Sequence, residues 1–178
     1  MIPRLLLLST CLLASACAKE PAVASAPQSS PQSSPQSSPQ SPAEDADCNL
    51  STPLVPGIPG SPGHLIKSSR NPNGDSELAV LMRQFVDDLR EARPLLEAGQ
   101  PVKKLFPTYR KMRAMWLTKP EERNAKFDGL AVGYLGLVKA YDGKPGKDTY
   151  NGIIAGCISC HSQSCGGPLD FIDTMKWE

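Results

Sequence analysis

In Cys157-Ile158-Ser159-Cys160-His161, two thiols stand three positions apart and a histidine directly follows the second. That order is the attachment signature of a c-type haem: the thiols add across the two vinyl groups and the imidazole takes the iron from the proximal side. Around it the residues keep helical spacing. Tyr150, Ile153, Ile154, Cys157 and His161 fall on one face of a helix expected from about Asp148 to Ser164, with Cys160 on its flank. Asp142-Gly143-Lys144-Pro145-Gly146 turns the chain into this helix, Gly166-Gly167-Pro168 ends it, and 169–177 reads as a short C-terminal cover.

Two other chemistries use paired thiols. A redox dithiol needs a helix N-terminus to lower a thiol pKa, whereas this pair sits near the C-terminal end of its helix with no strand pattern nearby. A structural zinc site needs a second pair of ligands, and Cys165, Cys48 and His64 stand at unsuitable spacings. Haem is the expected cofactor, one group, covalently held.

Upstream, three more helical stretches are expected. The first starts with Asp75 or Ser76 as N-cap, and Leu78, Leu81, Met82, Phe85, Leu89, Ala92 and Leu96 form its apolar stripe. Pro94 should kink or shorten its end, and Gly99 is a plausible stop. The second runs from Pro107 or Thr108 to Leu117, with Tyr109, Met112 and Trp116 inward. Lys103, Lys104, Arg110, Lys111 and Arg113 make it the basic part of the chain, either a solvated face or a docking patch for an acidic redox partner. The third opens on a Thr118-Lys119-Pro120-Glu121 capping box, with Phe127, Leu130, Ala131, Tyr134, Val138 and Tyr141 as its core stripe. Nearly opposite, Ala125, Gly129, Gly133, Gly136 and Ala140 make a smooth face that invites another backbone, a second subunit or a cofactor edge, or is merely tolerated.

The N-terminal part is of another kind. Residues 1–16 carry Arg4, a leucine-rich run and Ala14-Ser15-Ala16, which together read as an export signal. Leu13-Ala14-Ser15-Ala16-Cys17 resembles a bacterial lipobox, which would lipidate Cys17 and anchor the exported chain to a membrane; plain signal cleavage is the alternative. Residues 17–47 are rich in Pro, Ser and Gln, with a Pro-Gln-Ser-Ser tetrad starting at Pro27, Pro31 and Pro35, and read as a disordered tether. Residues 48–74 form a Pro/Gly-rich lead-in, expected to lie extended over a haem-binding helical domain at 75–178. Across all 178 residues the formal net charge is +1, too balanced for nucleic acid to be an expected partner. Six cysteines are many for a reducing cytosol and fit the cell envelope, the periplasm in particular.

Four helices with a single C-x-x-C-H on the last, Cys157 to His161, resemble the cytochromes c prime and their six-coordinate, low-spin relatives. The resemblance implies an all-α fold, an antiparallel four-helix bundle with haem on the last helix. It makes Cys157 and Cys160 the thioether anchors and His161 the proximal ligand, and it has the first helix supply the residue on the open side of the iron. Met82 is the candidate there, Met112 the next, and Leu78, Leu81 and Phe85 would wall the distal pocket. With a thioether on the iron the protein is an electron carrier serving a redox partner in the cell envelope. Without one it is a five-coordinate binder of a small gas such as NO or CO. Peroxidase chemistry is not expected, because no histidine of the helical faces could act as distal acid or base. Ser162 and Gln163, where that family often has an aromatic and a basic residue, the Cys165-Gly166-Gly167-Pro168 ending and the long tether depart from its pattern. A homodimer is compatible with the sequence. Cys48 and Cys165 remain, and in an oxidising compartment they are expected to pair as a disulfide.

Overall fold

The computed structural model describes residues 48–178; the expected export signal, Cys17 and the expected tether lie outside the described residues. Those described are all-α: α1 Glu77–Glu97, α2 Phe106–Tyr109, α3 Ala125–Gly143, α4 Lys147–Ser164 and α5 Leu169–Asp173. Among them no helix is long and apolar enough to cross a membrane, and the only strand-like pairing is one isolated antiparallel bridge between Ile66 and Asp75.

α1 begins where its cap requires. The Ser76 hydroxyl accepts from the Ala79 N–H at 3.2 Å and lies 3.1 Å from the Thr118 hydroxyl, so a fully buried serine is satisfied twice. Leu78, Leu81, Phe85, Leu89 and Ala92 bury its stripe. Pro94 does not end the helix, which runs on to Glu97 before Gly99 adopts φ +64°. The proline sits in the last turn, where few backbone hydrogen bonds remain to be lost.

The second stretch is shorter than its periodicity suggests. One α turn, Phe106–Tyr109, passes into a 3-10 segment, Arg110–Ala114, and Met115 is already extended. Tyr109 and Met112 are buried as expected, but Trp116 is half-buried and turns to the lead-in, its indole N–H donating to the Val55 carbonyl at 2.8 Å. Two cations of the basic run are engaged within the fold. Lys103 reaches the buried Asp88 carboxylate at 2.6 Å, and Arg113 grips Asp128 at 2.8 and 3.1 Å.

α3 also starts later than the expected capping box. Pro120–Glu122 is a separate 3-10 turn, and Asn124 caps the helix, its Oδ1 accepting from the Lys126 and Phe127 N–H groups. α3 lies along α4, and α5 folds back on α4. Ala131, Tyr134, Leu135, Val138 and Tyr141 meet Tyr150, Ile153 and Ile154 in one core. Gly129, Gly133 and Gly136 stay at the surface with open space before them, so the smooth face of α3 is not covered by the described chain.

Residues 48–74 are not extended. Gly57, Gly60 and Gly63 each take a positive φ and turn the chain, and a Cβ on Gly60 would fall 2.5 Å from the Glu77 backbone nitrogen, so only glycine lets the segment touch the start of α1. Arg123 pins its beginning through the Asn49 and Thr52 carbonyls, both at 2.9 Å. At its end the buried Asp75 carboxylate binds the Arg83 guanidinium through both oxygens. Burial alone would push that carboxyl up, but hydrogen bonds from Arg83, Ser68 and Asn71 outweigh it and hold the group below its ordinary range. A carboxyl depressed in the folded state stabilises the fold above its unfolded pKa of about 3.9, and this is lost as pH falls through the folded value. Urea unfolding of wild type and Asp75→Asn should therefore differ most at neutral pH, the gap closing below about pH 4. A gap independent of pH would show that the carboxylate is not the source.

Candidate functional site

His161 lies in the last turn of α4, where a positive or polarised ring suits the helix dipole. Its Nδ1 is 2.9 Å from the Cys165 carbonyl oxygen. A carbonyl can only accept, so Nδ1 carries a proton, and in the neutral ring Nε2 then keeps its lone pair for a metal. One turn earlier is Cys157. Burial pushes its thiol up to about 11, and burial also raises Cys160, whose Sγ is 3.8 Å from the Leu130 carbonyl. The approach of α3 to α4 at this point depends on Gly156, since a Cβ there would lie 2.8 Å from Leu137 Cδ1 and 3.0 Å from Tyr134 Cδ2. The Tyr134 hydroxyl is buried without a hydrogen-bond partner of acceptable geometry, although the Cys157 sulfur is near enough to perturb it.

Cys157, Cys160 and His161 open onto a cavity of about 450 Å³. α1 contributes Leu78, Met82, Phe85 and Leu89 to its wall, and the second stretch contributes Met112 and Leu117. Phe85 is held in place by Tyr109, whose ring stacks on it at 3.5 Å between centroids and whose hydroxyl donates to the Phe85 carbonyl at 3.3 Å. The walls are predominantly apolar and the volume is that of a pocket for a small organic molecule or cofactor. No protein-family model, curated protein or solved structure matches the chain.

The residues of the cavity suit a haem better than the other thiol chemistries. Thiols raised by burial are protonated at neutral pH, the reverse of a redox dithiol. No group of three or more His, Cys, Asp or Glu side chains converges among the described residues, whereas a structural zinc site uses four ligands. A covalent haem asks for less from the chain: two thiols, one imidazole with a free Nε2 and an apolar enclosure.

The structure brings Cys157, Cys160, His161, Met82, Leu78 and Phe85 to this one cavity, and Met112 with them. Leu81 is a correction. It is buried at 4% exposure but does not line the cavity, because it sits about 100° round the helix from Met82 and faces the core instead. The Cys48–Cys165 disulfide is a second correction: both thiols are free. The lead-in is secured by the Arg123 fork instead, and Cys165 is exposed at the cavity with its carbonyl holding His161. The sequence reading also missed Phe171, Ile172 and Met175, which close the cavity from the C-terminal segment. Their i, i+1, i+4 spacing after Gly166-Gly167-Pro168 is the available signal. The polar part of the lining, which includes Arg70, Ser76, Arg83 and Thr118, gave no sequence signal as a site.

Proposed function

We propose that this chain is a c-type cytochrome of the cytochrome c prime class or its six-coordinate relatives, carrying one covalent haem and transferring electrons in the bacterial cell envelope. The observation that carries the reading is His161. It stands beside Cys157 and Cys160 on an apolar cavity, its Nδ1 held by a carbonyl so that Nε2 is available, and Met82 lines the same cavity from α1.

In this reading the helical domain is a reduced four-helix bundle, with Phe106–Ala114 standing for the second helix. Cys157 and Cys160 would hold the haem covalently as thioethers, an attachment of thiols to vinyl groups that needs no oxidant. His161 Nε2 and the Met82 thioether would hold its iron. A haem so held supplies one-electron redox chemistry. The chain's part would be to fix it, to keep water from it with Leu78, Phe85 and Leu89, and to set its potential through His161, Met82 and the enclosure. Export and lipidation at Cys17 would place the domain in the periplasm on a tether at a membrane, within reach of a redox partner.

Full-length protein exported from a bacterial host with haem-attachment machinery tests this directly. After extraction with acidified acetone, the pellet should give an alkaline pyridine haemochrome of the thioether type, and Cys157→Ala/Cys160→Ala should give none. Haem that is absent from wild type, or that leaves with the acetone, would overturn the reading.

A further inference from the structure

A second cavity adjoins the first. It has about 310 Å³, is lined by Ile66, Lys67, Ser68, Ser69, Asp75 and Val80, and shares Arg70 and Arg83 with the apolar cavity. Those two arginines mark the boundary between a haem-sized apolar space and a small polar groove floored by the lead-in.

The charges of this groove are unequal. Lys67, Arg70 and Arg83 bring three positive charges and Asp75 one negative, leaving two positive charges. Arg83 is committed to Asp75 through NH1 and NH2, so Lys67 and Arg70, both exposed, carry the surplus. A haem carries two carboxylates on one edge, and guanidinium and ammonium groups beside hydroxyls are the partners such an edge takes. The acidic side chain that lines the apolar cavity, Glu122, has Lys119 Nζ 3.2 Å from its carboxylate.

We infer that the groove edge formed by Lys67, Ser69 and Arg70 is the seat of the two haem propionates. This rests on the haem reading above and deepens it: the lead-in becomes part of the cofactor site rather than a cover. The haem enters with its carboxylate edge toward residues 67–70, and that edge is tied to the segment that joins the tether to α1.

The test uses the full-length holoprotein, wild type and Lys67→Gln/Arg70→Gln, with Lys104→Gln/Lys111→Gln as a control at exposed cations lining neither cavity. Both changed positions of the test variant are exposed, and matching circular dichroism verifies the fold. Reduction potential is measured against pH. Two cations beside the propionates hold them ionised, so the wild-type potential should be flat through mildly acidic pH. In the variant the potential should be lower at neutral pH and should rise as pH is lowered, because the propionates now take up protons and stabilise the ferrous state. The carboxylate bands in the infrared difference spectrum between redox states should shift in that variant and not in the control. A haemochrome-positive variant with an unmoved potential profile and unmoved bands would overturn the propionate seat alone. A potential that instead responds to added inorganic phosphate at constant ionic strength would show the groove open to a free anion and also overturn it. The lack of any haemochrome in wild type would overturn both readings.

Discussion

Met82→Ala should turn a low-spin ferric haem into a high-spin one, with loss of the far-red charge-transfer feature of thioether ligation and gain of rapid CO binding in the ferrous state. Three methionines line the cavity, Met82, Met112 and Met175, and their environments differ. Met112 and Met175 are buried, at 3% and 8% exposure, and belong to the packed core, which is how a gap-filling methionine behaves. Met82 is only half-buried and packs against that core from the cavity side. It can therefore point its sulfur into the cavity without leaving a hole in the core. Met112→Ala is the control. It should lower stability by about 2 to 5 kcal/mol as a large-to-small core change and leave the spectrum low-spin. If Met112→Ala alone changes the spin state, the ligand is Met112. If wild type is already high-spin and Met82→Ala leaves its spectrum unchanged, the iron has no thioether, and the apolar wall of Leu78 and Phe85 describes a gas-binding site instead.

The helical class and the residues on α4 were legible because a spacing of three positions and a 3.6-residue period are local properties. Other features depended on partners far away in the chain. Leu81 and Met82 are both apolar neighbours on one stripe, and only the placement of α4 and the C-terminal segment decides which of them faces the cavity. The start of α3 turned on a competition between Thr118 and Asn124 as caps. Thr118 lost because its hydroxyl is spent on Ser76, 42 residues away. Counting leftover thiols suggested a Cys48–Cys165 bridge, but the count knows nothing of Arg123, which holds the lead-in without one. Arg83 lies off the apolar stripe of α1, and its place at the groove depends on Asp75 and on turns that Gly60 and Gly74 permit.

Asp142→Ala should cost roughly 3 to 5 kcal/mol, a large share of the 5–15 kcal/mol by which a domain of this kind is held folded. In the sequence Asp142 is merely the first residue of a turn. In the structure it belongs to the last turn of α3, where the helix dipole disfavours an anion and the turn itself holds no basic residue. Its carboxylate instead faces the beginning of α2, accepting from the Leu105 N–H at 2.8 Å and the Phe106 N–H at 2.9 Å. Leu105 and Phe106 are buried, so removal of the acceptor strands two donors away from water. The loss should appear as a lower urea midpoint with an unchanged slope, compared between proteins of equal haem content. Asp142→Asn should recover part of it, because its one carbonyl oxygen can still accept from one of the two N–H groups. The consequence reaches the site, since the stretch that Asp142 fastens carries Tyr109 under Phe85 and Met112 on the cavity wall. Loosening it should therefore broaden the haem absorption as well as lower stability. An Asp142→Ala protein within about 0.5 kcal/mol of wild type, the range of an ordinary surface substitution, would show that α2 is held by packing alone.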